Sequence, residues 1–250
     1  MEPSCHEPPV VVKGLRKSFG SQNVLDGIDL TVASGETVAV LGRSGTGKSV
    51  LLKLLIGLQR ADGGSIRILG QEIQDLETTQ LDAVRKRVGF LFQQAALYDS
   101  LTLEENVSFP LSRHTELSGA ERRDRARELL ANVGLRRDLG KLPSQISGGM
   151  QKRVGLARAL ALEPDIVLFD EPTAGLDPIT AAEIEKLILQ LKEKLAMTAI
   201  VVTHDVRGAK SYSDRMIMVR GGRVLIQGAF SELQKSQDEF VVQFLREANR

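Results

Sequence analysis

The sequence predicts an α/β fold: parallel strands around a phosphate-binding loop, with a helical insertion interrupting them. Three observations lead there. Gly42, Arg43, Ser44, Gly45, Thr46, Gly47, Lys48 and Ser49 form G-x-x-x-x-G-K-[ST], set between an apolar run of strand length, residues 37–41, and a helical run, residues 50–56, ended by Gly57. Strand and helix patterns alternate again after Pro164, and residues 101–162 between them carry helical spacing.

The elements before the insertion read mostly as strands: residues 10–12, the alternating 28–32, 37–41, 65–69 and 88–92, with the helix after the phosphate loop as the clear interruption. Within the insertion, Ser118 and Glu121 form a capping box, followed by Ala126, Leu129, Leu130 and Val133 at helical spacing and by Gly134 as a stop. The arginines 122, 123, 125 and 127 alternate with Glu121, Asp124 and Glu128, so a solvated mixed-charge face is preferred to a nucleic-acid surface. Further on, residues 166–170 read as a strand. Asp177 caps a helix with Pro178 at its first position and Ile184, Leu187, Ile188, Leu191 and Leu195 on one stripe. Residues 199–203 form another buried strand, and 215–219 with 223–227 a hairpin across Gly221 and Gly222.

Composition excludes several classes. The 250 residues hold 42% hydrophobic and 26% charged side chains, ordinary for a globular domain with a proper core. Lys plus Arg number 33 against 32 acids, so the net charge of +1 makes no field for nucleic acid or an anionic membrane. Cys5 stands alone in a Pro-rich stretch, residues 1–9, expected to be flexible; no internal disulfide can form, and a reducing, cytosolic setting is expected. Cys5 beside His6 is too small a ligand set to predict a metal. No apolar run reaches spanning length and no signal peptide opens the chain, so action at a membrane requires another polypeptide to supply the spans.

The chemistry follows from residue type and place. Glycines let the loop's N–H groups curl around phosphate oxygens, Lys48 reaches the β- and γ-phosphates, and Ser49 binds Mg²⁺. Asp170 and Glu171 end a buried strand at the edge where α/β sheets hold ligands. Asp170 suits holding the metal, and Glu171 suits the general base or water positioner. His204 ends the 199–203 strand at the same edge, to contact the γ-phosphate or the water. Gln93, after the 88–92 strand, is placed to touch Mg²⁺ and marks the exit into the insertion, a coupling point. Ser147, Gly148, Gly149 and Met150 open a helical segment and present N–H groups as a second anion site. His114 receives no role.

With these motifs in this order, residues 10–227 resemble the nucleotide-binding subunit of ATP-binding cassette (ABC) transporters. The resemblance implies a P-loop ABC cassette over residues 10–228, with a RecA-like core, an antiparallel β subdomain and a helical subdomain inserted at about 94–162. It identifies a Walker A loop at 42–49, a Q-loop at Gln93, a signature motif at 147–150, a Walker B strand ending at Asp170 and Glu171, a D-loop running to Asp177 and a switch histidine at His204. Phe19 matches the residue that stacks on adenine, and ATP with Mg²⁺ is the implied ligand pair. Ile146 and Met150 depart from the usual Leu-Ser-Gly-Gly-Gln but leave the Ser147 hydroxyl and glycine N–H groups in place. Met150, together with residues 44–53 and 92–101, is similar to the Mla/Mce-type phospholipid-trafficking ATPases.

The family's head-to-tail homodimer would put each ATP between Lys48 of one copy and Ser147 of the other. The implied partners are integral membrane permease subunits and an Mce-type lipid-binding protein, with no nucleic acid, and the implied location is the cytoplasmic face of the inner membrane. A transporter ATPase for another substrate, such as an amino acid or a metal, and a soluble ABC ATPase acting on DNA or ribosomes are the alternatives; the latter lacks its usual second cassette, coiled coil or zinc-binding Cys pairs here. Residues 229–250 are expected to form a helical tail whose segment 240–245 packs either at a dimer contact or on its own subunit.

Overall fold

A computed structural model describes residues 7–247. β1 (Val10–Phe19) and β2 (Gln22–Val32) pair antiparallel across a tight turn, and their inward faces bury Val10, Val12, Leu15, Leu25, Ile28 and Leu30. β3 (Thr37–Leu41) is buried along its whole length and leads through the phosphate loop into α1 (Lys48–Leu55). β4 (Gly63–Ile68) and the short β5 (Gln71–Glu72) complete a four-stranded sheet of order β2-β1-β4-β5.

α2 (Thr78–Lys86) follows, then β6 (Val88–Leu91). The insertion is α3 (Leu103–His114), α4 (Gly119–Asn132) and α5 (Gly148–Ala159). β7 (Ile166–Asp170), α6 (Pro178–Leu195), β8 (Thr198–Thr203), α7 (Val206–Tyr212), β9 (Arg215–Arg220) and β10 (Arg223–Gly228) finish the core, and α8 (Phe230–Leu233) and α9 (Glu239–Glu247) close the chain.

The second sheet runs β10-β9-β3-β8-β7-β6, all parallel except β10. Strands β3, β7 and β8 are buried on both faces, hence their unbroken apolar runs. The register aligns Leu41 with Thr203, Asp170 with Val202 and Leu91 with Phe169, so the loops beginning at Gly42, His204, Glu171 and Phe92 leave one sheet edge side by side. One glycine joins the sheets: Gly222, at φ +76°, receives the Asp26 N–H on its carbonyl at 2.8 Å, and a Cβ there would meet the Val24 carbonyl at 2.8 Å.

Three sequence expectations change. α2 and β5 were not foreseen: α2 buries Val84 alone and starts on a Glu77–Gln80 capping box, so it has no apolar stripe to betray it. β1 and β2, at 10 and 11 residues, far exceed the 10–12 and 28–32 runs read from their apolar cores, because exposed polar residues continue the pairing to Phe19 and Gln22. Leu195, on the predicted α6 stripe, is 49% exposed. An 18-residue helix is about 27 Å long against roughly 20 Å for the six-residue strand it packs beside, so its last turn overhangs the sheet.

The Ser118–Glu121 capping box is present: Glu121 N donates to Ser118 Oγ at 3.3 Å, and Ser118 N to Glu121 Oε2 at 2.7 Å. Asp177 caps α6. Residues 1–6, with Cys5 and His6, lie outside the described residues; in the adjoining stretch the Pro9 carbonyl accepts the Leu69 N–H at 2.8 Å and Glu7 pairs with Arg67 at 2.7 Å. The 240–245 segment is helical and packs on its own chain, with Val241, Phe244 and Leu245 in the core and the Phe240 ring between the guanidinium groups of Arg43 and Arg220. No described helix is long and apolar enough to cross a membrane.

Candidate nucleotide site

The phosphate loop is held by close backbone approaches that only glycine permits. A Cβ on Gly42 would lie 2.8 Å from the Val219 carbonyl, and Gly47, at φ +90°, has Val24 and Leu25 side chains within 2.9 Å of where its Cβ would be. Lys48 curls back, donating from Nζ to the carbonyls of Gly42 at 2.8 Å and Arg43 at 3.1 Å, with Glu171 Oε1 at 3.4 Å. The ammonium is thus poised at the mouth of the loop, where the free N–H groups of the first turn of α1 also point.

Phe19, Ser44, Gly45, Gly47, Lys48, Ser49, Gln93 and Glu171 line one cavity of about 300 Å³, with Val24 and Val50 between them. Phe19, 46% exposed, stands at its rim with Lys17 Nζ 5.2 Å from its ring centroid. Ser49 Oγ donates to Asp170 Oδ1 at 2.7 Å. Burial raises the Asp170 carboxyl above its usual value, against the pull of that hydrogen bond. A hydroxyl and a buried carboxylate side by side, with the Gln93 amide at the same cavity, form an oxygen-donor set that fits Mg²⁺.

Glu171 is 7% exposed and sits at φ +46°, a left-handed conformation uncommon outside glycine. Its N–H donates to the Val202 carbonyl at 2.9 Å, and its Oε2 meets His204 Nδ1 at 2.9 Å. The register of β7 and β8 therefore brings the two residues together although 33 positions separate them. The carboxylate has one oxygen toward Lys48 and the other toward His204, between the phosphate loop and solvent.

Ser147, Gly148, Gly149, Met150 and Asp177 line none of that cavity. Ser147 Oγ accepts the Met150 N–H at 3.3 Å as the N-cap of α5, and Ser147 and Gly148 face solvent. Gly149 packs so tightly against α6 that a Cβ would fall 2.3 Å from Thr180 Cγ2. Asp177 accepts the N–H groups of Ile179 at 3.1 Å and Thr180 at 3.0 Å. Arg43 and Ser44 also border a second cleft with His204 and residues 173–176. His114 lies in a groove across the insertion, away from the phosphate loop.

Sequence reasoning missed two polar groups here. Lys152 is buried on α5, its ammonium between the carbonyls of Gln93 and Glu171. Its place three residues after buried Gly149 and four before buried Leu156 is the signal that could have found it. Glu185 rests on Gly208 beside Asp205, where a Cβ at residue 208 would lie 2.6 Å from Glu185 Oε1.

Burial, then a hydrogen bond with Asp205, raises the Glu185 carboxyl from 4.5 to about 7. A raised folded value means the protonated form stabilises the fold below about pH 4.5, and this is lost as pH climbs through 7. Discounted for its partial exposure, the effect is about 1 kcal/mol. Glu185→Gln is therefore expected to raise the melting temperature by roughly 2–4 °C at pH 8 and to change it little at pH 4. Equal shifts at both pH values in thermal unfolding would exclude the proton.

Comparison with known proteins gives a consistent answer. The family model described as ABC transporter matches residues 25–174. The chain is 44% identical over 236 residues to the probable ribonucleotide transport ATP-binding protein mkl of Mycobacterium tuberculosis, covering 94% of this chain but 66% of that relative's length. It is 41% identical to the intermembrane phospholipid transport system ATP-binding protein MlaF of Haemophilus influenzae, covering 95% of this chain and 90% of that one. It is 40% identical to the methionine import ATP-binding protein MetN of Rhizobium johnstonii, covering 90% and 62%. Among solved structures, the dimeric ATP-binding cassette MJ0796 in a post-hydrolysis state with ADP and Pi superposes with a TM-score of 0.81 at 37% identity, covering 88% of this chain and 98% of that one.

Proposed function

The chain belongs to the ABC transporter family, and on that premise we propose that it is a transporter's ATP-hydrolysing subunit, a homodimer that drives phospholipid trafficking between membranes through separate permease subunits and an Mce-type lipid-binding partner. The observation that carries this reading is the division of the site. One end of each chain's machinery is a phosphate cavity, while the Ser147 turn, built for the same kind of ligand, stands exposed outside it. Two copies facing head to tail complete both sites, and the dimeric assembly of a similar cassette supports that arrangement.

In the closed site Phe19 stacks on the base, while the loop N–H groups and Lys48 hold the phosphates. Ser49, Asp170 and Gln93 would hold Mg²⁺, which when bound neutralises charge on the β- and γ-oxygens. Glu171 accepts a proton from the attacking water, and His204 fixes the carboxylate through its Nδ1 contact. Ser147 of the second copy caps the γ-phosphate. Closure is favoured only while the triphosphate bridges both chains, so hydrolysis returns the dimer to its open state.

The permease docks in the groove beside Gln93, of about 600 Å³, lined by Phe90, Phe92, Tyr98, Phe109 and Arg113. Stacked Phe90 and Phe92, with ring centroids 4.1 Å apart, give it an apolar floor next to the segment that touches the nucleotide. The phospholipid reading rests on the similarity to MlaF over nearly the full length of both chains; the names mkl and MetN keep a different small-molecule cargo as the second reading. The test is isolation of the intact complex from the native membrane, with mass spectrometry of what it holds. A multispanning permease, an Mce-type protein and bound phospholipid are the expected result; a permease with a different binding protein and no lipid would transfer the assignment to another cargo.

A further inference from the structure

Lys152 is 5% exposed, and its ammonium donates to two main-chain carbonyls, those of Gln93 and, at 3.0 Å, Glu171. Burial is costly for an ammonium and pulls this one down to about 8, even with Asp170 and Glu171 nearby to favour the charge. An apolar side chain would fill the space without that cost. What it would not do is satisfy the two carbonyls. One of these belongs to the residue in the left-handed conformation: Glu171 has its N–H fastened to β8 through Val202 and its carbonyl fastened to α5 through Lys152. The other lies in the segment that leaves β6 for the insertion. Lys152 itself sits on the helix that Ser147 opens.

We propose that Lys152 is a positioning residue for hydrolysis: by clasping the carbonyls of Gln93 and Glu171 it holds the Glu171 carboxylate in its working orientation and ties that orientation to the helix bearing Ser147. Three segments, α5, the exit from β6 and the end of β7, meet at this one ammonium. Movement of the insertion, on closure over a second copy or on a push at the aromatic groove, reaches Glu171 through it. The proposal rests on the reading of Glu171 as the residue that activates water.

The test uses the full chain and steady-state ATP turnover. Lys152→Met is expected to lower kcat by about tenfold or more while KM for ATP stays within roughly threefold, because the phosphate loop is untouched. Lys152→Gln, which keeps two N–H donors, is expected to recover a large part of the loss. In a Glu171→Gln background, Lys152→Met should lower the residual turnover by less than about threefold, since both act through one carboxylate.

Unchanged kcat in Lys152→Met, a loss confined to KM, equal losses in the Met and Gln variants, or full multiplication of the two single losses would each overturn the proposal. Should Lys152→Met not fold, by thermal unfolding, Lys152→Arg replaces it as the second variant beside Lys152→Gln, and multiplication of either variant's loss with that of Glu171→Gln overturns the proposal. The two failures are separable: full turnover in Glu171→Gln alone removes the functional reading, whereas a silent Glu171→Gln with a fully active Lys152→Met removes only this inference.

Discussion

Glu171→Gln is expected to cut ATP turnover by roughly a hundred- to ten-thousand-fold while leaving nucleotide affinity nearly intact. The amide fills the same space 2.9 Å from His204 Nδ1 and leaves Lys48 bonded to the carbonyls of Gly42 and Arg43, so the grip on phosphate survives. What disappears is the group able to take a proton. Because the triphosphate then persists, the variant should accumulate as an ATP-loaded dimer, visible by size-exclusion chromatography as twice the 27.3 kDa chain. Adding Ser147→Arg, which places a bulky side chain on the exposed turn, should return it to monomer without abolishing ATP binding. Wild-type turnover in Glu171→Gln would remove that residue from the chemistry, and a dimer indifferent to Ser147→Arg would remove the shared site.

Lys48→Ala should act on binding instead. Its ammonium, on a residue only 6% exposed, is placed to give charge-assisted hydrogen bonds to phosphate, and losing it is expected to cost about 3 kcal/mol of ATP affinity, roughly a hundredfold or more in Kd. The apo protein should also weaken, because the Glu171 carboxylate, 7% exposed, keeps His204 but loses the lysine ammonium 3.4 Å from its Oε1. Isothermal titration with ATP and thermal unfolding without it measure the two effects separately. An affinity within threefold of wild type would mean that the loop N–H groups alone carry the phosphates. The contrast between the two variants, one silent but loaded and the other empty, is the sharpest internal check on the division of labour.

How much of this was legible in the chain follows from what each part must do. The phosphate loop, the carboxylates at the end of β7 and the histidine after β8 are readable because the phosphate and proton chemistry proposed for them would demand particular residue types, and buried parallel strands announce themselves as apolar runs. α2 was hidden because its stability comes from a capping box and its arginine contacts to Ile56 and Gly57, neither of which has a periodic signature. Lys152 was hidden because a lysine beside Arg153 reads as solvated surface; only the packing of α5 turns it inward. Leu195 shows the converse, an apolar residue in perfect helical phase that the sheet is too short to cover. Side-chain identity reports the chemistry of a position, while element length and neighbours decide which way that position faces.

The side-by-side exit of four loops from one sheet edge also explains how so uniform an engine can serve relatives named for chemically unrelated cargoes. Adjacent strands stand about 4.8 Å apart whatever their sequence, so the distances between the candidate site residues at the strand ends are inherited from the backbone lattice and not from the loops. The aromatic groove proposed for docking, by contrast, is walled by side chains of α2, of the β6 region and of the insertion, which are free to drift. On the proposed assignment, selection can thus retool the groove without recalibrating the strand ends, much as one drive shaft accepts many attachments.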